Sequence, residues 1–391
     1  ALRGDGRVAN IVINSTGGQI FADAGKTLVL GNMTAANGGT INLQGGTAEL
    51  SQPLVNQGTI TGRGILQADA GLTNDAQMQL VSSFSDVHGN ITNSAGGLIA
   101  VTSNATATFY NNIQADAGSE FRVSAGSTAV FFGDVTGTST FTGSGTKIFE
   151  DGNSSLAGAI ATPGSSIVST TASLTAGAIR ESSLAIDGGH VDITPGGGIG
   201  GVSSIGSLSM TAGQFDLADN DLIVAAPGSI GTWNGSSYSG MTGLIASGRN
   251  GGSSGLWSGS GIITGQSNAK APRLLTTLAI ATGAQVKNLS SGQTTIWAGQ
   301  TISDTSTLVM YTYAGDANLD GRINGDDYFA IDSNINVVGA SGYARGDFNY
   351  DGHINGDDYF IIDSNINQQS LGIFPSSSGL DESASAAGLA S

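Results

Sequence analysis

The sequence predicts a mainly β chain, a parallel β-helix (β-solenoid) followed by a small α-helical module near the C-terminus. Three observations carry this. Short stretches of alternating apolar and polar residues recur every 21 to 24 positions over the first part of the chain. Glycine is abundant, at 62 of 391 residues, and charged residues are scarce, at 11%. A twelve-residue acidic pattern then appears twice, as "DANLDGRINGDD" at 316–327 and "DFNYDGHINGDD" at 347–358, each followed by a helix-period stretch.

The composition narrows the function classes. Glycine stands at about twice its usual share of roughly 7%, with no G-x-y period, so the chain is not collagen-like. A hydrophobic fraction of 39% permits a packed core, and low charge with regularly spaced Val, Ile, Leu and Phe argues against disorder. The net charge is −17 and the Lys and Arg residues do not cluster, which argues against nucleic acid or an anionic membrane as partner. Cysteine is absent, so disulfides contribute nothing. No run of 18 apolar residues occurs, and no membrane span is expected. The opening "ALRGDG" reads as a processed or trimmed N-terminus.

The repeats define the first element. "ADAG" occurs at 22–25, 68–71 and 115–118. Within this, "GQIFADAGKTLVL" at 18–30 aligns with "GTINLQGGTAELS" at 39–51, and "GLIAVTSNATATF" at 97–109 with "GSEFRVSAGSTAV" at 118–130, each 21 positions on. "SLAIDGGHVDI" at 183–193 aligns with "SLSMTAGQFDL" at 207–217, 24 on. Phe121 and Val123 point to one face and Glu120 and Arg122 to the other, the two-residue period of a strand. Glycine supplies the positive φ of the corners. Each such unit cannot bury its apolar side alone, and stacking supplies the partner. Rungs of about 22 residues over 1–300 would give roughly 13 turns. A β-sandwich of irregular short strands is the alternative.

The reading divides the chain into a solenoid at 1–225, a β-rich cap or second β region at 226–311, the double acidic-loop module at 312–367 and a low-complexity tail at 368–391. The second region holds a Gly/Ser-rich insertion, read as a loop excursion or cap, with Trp233, Tyr238 and Trp257. Strands return at "RLLTTLAIA" and "TSTLVMYTY". The stretches "GTITGRG" at 58–64 and "STFTGSG" at 139–145 resemble the Gly-Thr strand repeats of autotransporter-type secreted β-solenoids.

The acidic loops carry the clearest chemistry. A calcium loop needs oxygen ligands at positions 1, 3, 5, 7, 9 and 12 and glycine at 6 for the bend. The first copy supplies Asp316, Asn318, Asp320, the carbonyl of Arg322, Asn324 and Asp327 around Gly321. The second supplies Asp347, Asn349, Asp351, the carbonyl of His353, Asn355 and Asp358 around Gly352. Position 12 is Asp where the rule has Glu, and the shorter side chain requires the helix start to move inward. Three carboxylates per loop suit a hard cation, so two calcium ions are expected. The segment 312–367 holds ten Asp and two Arg, a net of −8, and should unfold without cations. Millimolar extracellular calcium would satisfy it, which favours a secreted location.

The residues after each loop are nearly identical, "INGDDYFAIDSNIN" at 323–336 and "INGDDYFIIDSNIN" at 354–367. Asp327 and Asp358 are expected to open helices. Tyr328, Ile331 and Ile335 form an apolar stripe, repeated by Tyr359, Ile362 and Ile366. A duplicated loop plus helix of this length resembles the dockerin module, a calcium-dependent docking unit of secreted bacterial proteins. The resemblance implies that calcium folds the module and that a near twofold arrangement presents either helix to a cohesin-type partner. It places partner recognition at Gly325–Asp326 and Gly356–Asp357, with Tyr328, Ile331, Tyr359 and Ile362 alongside. Gly-Asp departs from the small hydroxyl residues usual there, and the usual basic helix residues are missing.

Outside the module no catalytic constellation stands out. Glu150–Asp151 and Asp216, Asp219 and Asp221 are the best acid groupings, and both read as turns. His88 and His190 stand alone in the sequence, and Trp233 and Trp257 suit cap packing more than sugar stacking. Seven N-x-S/T sequons mark candidate glycosylation sites at Asn14, Asn32, Asn90, Asn104, Asn153, Asn234 and Asn288. The sequence therefore reads as a secreted, non-enzymatic structural protein of the cell surface or extracellular space. Its calcium module would join a protein partner or a neighbouring copy, as in a fibre or surface layer. A polysaccharide-degrading β-helix enzyme with an appended dockerin and a sugar-binding adhesin are the alternatives.

Overall fold

The structure, a computed structural model, describes residues 1–33, 35–250 and 256–369, so nearly all of the low-complexity tail lies outside the described residues. The chain is mainly β, with a parallel β-solenoid of about 11 turns and a few short helices toward the C-terminus. The β-sandwich alternative is set aside by the pairing, which is parallel from Leu2 to Arg180. The turns are fewer than roughly 13 because residues beyond 225 are spent on a helix at Gly240–Arg249 and on antiparallel strands. The chain divides into two compact units, one at Ala1–Val191 and one beginning at Asp192.

The first unit is built from columns of inward side chains, one residue per turn. In one column Leu2, Ile20, Ile41, Ile60, Met78, Ile99, Phe121 and Phe141 stand in register on successive turns. A second runs through Leu54, Leu72, Ile91, Ile113 and Val135. A third runs through Leu28, Ala48, Leu66, Val87, Phe109, Phe131, Phe149 and Val168. Its phenylalanines stack at centroid distances of 5.6 and 5.3 Å. Phe121 and Val123 are buried, and Glu120 and Arg122 face out and pair at 2.8 Å. Alternation thus sets the faces, because a β side chain changes side at every residue.

The register corrects one alignment. Ile99 sits opposite Phe121 and Leu98 opposite Glu120, so this turn advances 22 residues and not 21. Matching Gly97 to Gly118 would put Ile99 opposite Glu120 and flip one strand inside out. The glycines of the three ADAG copies, Gly25, Gly71 and Gly118, have φ of 71°, 104° and 83°, the left-handed corners expected of them.

Two polar features cross this apolar interior. Asn14, Asn37, Asn56, Asn74 and Asn93 are buried one per turn. Each donates its amide to the side-chain oxygen of the next, at 2.6, 2.7, 2.8 and 2.8 Å. The ladder ends where Asn93 donates to the carbonyls of Gly97 and Glu120. Further along, Lys147 Nζ lies 2.7 Å from Glu181 Oε1 with both side chains essentially fully buried. Thr162 bridges them, donating to Glu181 at 2.7 Å and accepting from Lys147 at 3.3 Å. Such a pair is tolerated because each charge has its counter-ion and a hydroxyl partner.

In the second unit parallel pairing continues briefly, with Ser203–Asp216 beside Leu222–Val224 and beside Gly261–Ile263. Leu222–Val224 then pairs antiparallel with Thr307–Tyr313, which pairs antiparallel with Thr276–Thr282. The last two are the strands expected at "TSTLVMYTY" and "RLLTTLAIA", and Thr307–Tyr313 is buried throughout. The Gly/Ser-rich insertion contains the unexpected helix Gly240–Arg249, packed on Gly261–Ile263. A Cβ at Gly248 would lie 2.1 Å from the Ile262 carbonyl, so glycine is what lets helix and strand meet. That requirement outweighs glycine's poor helix propensity. Trp257 is buried in this unit, in keeping with the expected cap packing.

Candidate metal centre

The first acidic loop begins three residues after the buried strand Thr307–Tyr313, and each loop ends in a ten-residue helix, Gly325–Asn334 and Gly356–Asn365. The helices start at glycine, two residues before Asp327 and Asp358, because Asn324 and Asn355 are the N-caps. Each Asn oxygen accepts from the N–H two residues on, at 2.8 and 2.7 Å. Asp327 and Asp358 return the bond to the cap N–H, at 2.8 and 2.9 Å, closing a capping box.

The same loop geometry is built twice. Asp316 Oδ1 accepts the N–H of Asp320 at 3.1 Å and Oδ2 that of Gly321 at 2.9 Å. Asp347 accepts those of Asp351 and Gly352 at the same distances. Asp320 and Asp351 accept the N–H of Arg322 and His353 at 2.9 and 2.8 Å. Asp327 also reaches back to the N–H of Ala317 at 2.8 Å, as Asp358 does to that of Phe348 at 2.7 Å. Asn318 and Asn349 accept from the N–H of Asp320 and Asp351 at 3.0 and 2.9 Å. Gly321 and Gly352 take φ of 84° and 83°, and Leu319 and Tyr350 are left-handed as well, so both chains bend at positions 4 and 6.

These bonds have an electrostatic consequence. Asp316, Asp327, Asp347 and Asp358 are fully buried. Burial pushes the Asp316 carboxyl up to about 7, with Asp327 and Asp320 adding repulsion. It pushes Asp327 and Asp358 up to about 6 and raises Asp347 as well. Among the described residues no three acidic or histidine side chains are drawn into a finished cation cage. The loop acids are instead held along the loop by its N–H groups. Asp316 Oδ1, Asp347 Oδ1, Asp327 Oδ2 and Asp358 Oδ2 each accept one N–H and keep a second lone pair. Oxygen donors in this order, on buried anions that a dication would relieve, fit a hard ion such as calcium.

The two helices are tied reciprocally. The Tyr328 hydroxyl donates to Asp363 at 2.6 Å, and the Tyr359 hydroxyl donates to Asp332. This exchange requires the same residues on both helices. Ile331 and Ile362 are fully buried, so they anchor the helices and cannot face a partner, which corrects their place among the docking residues. Ile335 is exposed, so the apolar stripe is shorter than the spacing suggests. Gly325, Asp326, Gly356 and Asp357 are exposed as expected. Phe329 and Phe360, 70% and 72% exposed, occupy equivalent outer positions outside the Tyr–Ile stripe.

The acid groupings singled out beyond the module bond to backbone N–H groups and to one hydroxyl. Glu150 accepts from the Ser169 hydroxyl, and Asp151 from the N–H of Gly152. Asp216 accepts from the N–H groups of Ala218 and Gly265, Asp219 from that of Gly196, and Asp221 from that of Tyr311. His88 stacks on Tyr110 at 4.4 Å. Of the sequons, Asn90, Asn104, Asn153, Asn234 and Asn288 are exposed, and Asn32 is half-buried. Asn14 is buried with its amide committed to Asn37, so it is no glycan acceptor in the folded chain. The ladder has a signature in the sequence, an apolar residue two before each Asn, as in "LVN", "LTN" and "ITN". No known protein-family model matches this chain, nor does any curated protein or solved structure.

Proposed function

We propose that residues 312–367 form a double calcium module that fastens a secreted, non-enzymatic β-solenoid to a protein partner or to a second copy of the chain. The observation that carries this is the twofold repetition of one loop geometry, with buried carboxylates raised by their own burial. Asp316, Asn318, Asp320, Asn324 and Asp327 would hold one ion with the Arg322 carbonyl. Asp347, Asn349, Asp351, Asn355 and Asp358 would hold the other with the His353 carbonyl. The exposed Phe329 and Phe360, beside Gly325–Asp326 and Gly356–Asp357, supply equivalent apolar points on the outer face of each helix.

Calorimetric titration of the whole chain tests the metal reading, with two calcium ions expected. At a hundredfold excess over Kd each ion adds about 2.7 kcal/mol, so EDTA is expected to lower Tm measurably. Sedimentation velocity with and without calcium, on wild type and on F329S/F360S, tests assembly. A size distribution unmoved by both EDTA and the double substitution overturns docking between copies of the chain.

A further inference from the structure

The two loops share their inner bonds but not their outer support. The first is held by near neighbours and by one late residue. The Thr312 hydroxyl donates to Asp316 at 2.5 Å, and the Gln369 side chain clasps the N–H and carbonyl of Ile323, each at 2.8 Å. The second is held by a segment about a hundred residues upstream. The Tyr238 hydroxyl donates to Asp347 Oδ2 and accepts the N–H of Gly342 at 2.7 Å. Arg249 Nη1 donates to the Asn349 carbonyl at 3.0 Å. Trp233 lies against Gly352, so closely that a Cβ there would come within 2.3 Å of its ring, and it meets the His353 ring edge-on.

These three supports come from one short piece of chain. Trp233 and Tyr238 bridge each other across a turn, and Arg249 closes the helix that follows. They touch the second loop at positions 1, 3, 6 and 7. None of the bonds that hold the first loop involves this segment. We infer that residues 232–249 are a structural part of the second calcium site, and that their ordering is coupled to calcium there and not at the first loop. This rests on the calcium reading above. The physical link is direct. Asp347 shares one oxygen between the Gly352 N–H and the Tyr238 hydroxyl. An empty loop leaves Asp347, Asp351 and Asp358 repelling one another, and any movement that separates them draws on the bonds to Tyr238 and Arg249. Linkage is reciprocal, so the factor by which calcium favours the ordered segment is the factor by which the ordered segment favours calcium at the second site.

The test uses hydrogen exchange with mass spectrometry on the full chain, with and without saturating calcium, alongside calorimetry. Wild type and D320A, which disables the first loop, are expected to gain tenfold or more protection over 232–249 with calcium. D351A, which disables the second, is expected to gain none. Y238F and R249M are expected to weaken one of the two sites about five- to twentyfold and leave the other within twofold. Two ions bound with no change in protection over 232–249 in wild type overturns the coupling while leaving the calcium reading intact. Equal loss of protection in D320A and D351A also overturns it. No calcium bound at all overturns the calcium reading, and the coupling with it. Because the wild-type comparison needs no substitution, a variant that fails to fold does not remove the test.

Discussion

Replacing Asn74 by Ala gives the sharpest test of what holds the solenoid. Asn74 sits in the middle of the buried ladder. It donates to Asn93 at 2.8 Å and to the Leu98 carbonyl at 3.1 Å, and it accepts from Asn56 at 2.8 Å. The substitution deletes three buried hydrogen bonds, each about 0.5–1.5 kcal/mol net. It also leaves the Asn93 oxygen without its donor, a further cost of about 1–3 kcal/mol. Asn56 keeps its bond to the Gln77 carbonyl at 3.0 Å, which limits the damage on that side. The sum is about 2.5–7.5 kcal/mol. Asn90 is exposed and accepts one N–H bond from Asn112, so N90A should cost about 1 kcal/mol or less. Stacked turns unfold less cooperatively than a small domain, so the measurement should be local. Hydrogen exchange of the amides between 72 and 99 supplies it, with N90A as the control. A loss below about 1 kcal/mol for N74A, or equal losses in both variants, would refute the claim that the ladder carries stability.

The remaining predictions concern buried charge and pH. Because Lys147 and Glu181 are buried together, K147M or E181L alone is expected to cost about 3–5 kcal/mol. The double variant K147M/E181L should cost less than the sum, which a double-mutant cycle by urea unfolding would register. Burial pushes the Asp221 carboxyl up to about 7. The folded state therefore holds this proton more tightly than the unfolded chain, and its contribution is complete below about pH 4 and lost as pH rises to about 7. D221N is expected to raise Tm relative to wild type at pH 8 and to give no such gain at pH 4. Equal shifts at both pH values would remove Asp221 as the cause.

Much of the solenoid was legible in the sequence because its signal is local. Phe121 and Val123 alternate with Glu120 and Arg122, and a strand that shows one face to the core must read that way. The turn glycines of ADAG were legible for the same reason, since positive φ restricts the choice of residue. The one-residue error between Gly97 and Gly118 arose from aligning corners when the apolar column sets the register. The Asn ladder was missed because one Asn every 18 to 23 residues looks like ordinary turn composition until the turns are stacked. The helix at Gly240–Arg249 was hidden because its glycines argue for a loop, and only the strand it packs against explains them.

The acidic loops divide the same way. Spacing by itself determined the two sets of loop carboxylates and amides, the bend at Gly321 and Gly352, and the helices that follow, since all lie within about twenty residues of one another. Only the tertiary structure decided that Ile331 and Ile362 turn inward while Phe329 and Phe360 face out. It alone decided that Tyr328 and Tyr359 cross to the opposite helix, which requires the two copies to match. It also decided that Trp233, Tyr238 and Arg249 support one loop and not its twin. A sequence motif specifies the bonds a segment makes with itself. Which distant side chains lie against it is set by how the rest of the chain packs, and two nearly identical loops can therefore differ in what holds them.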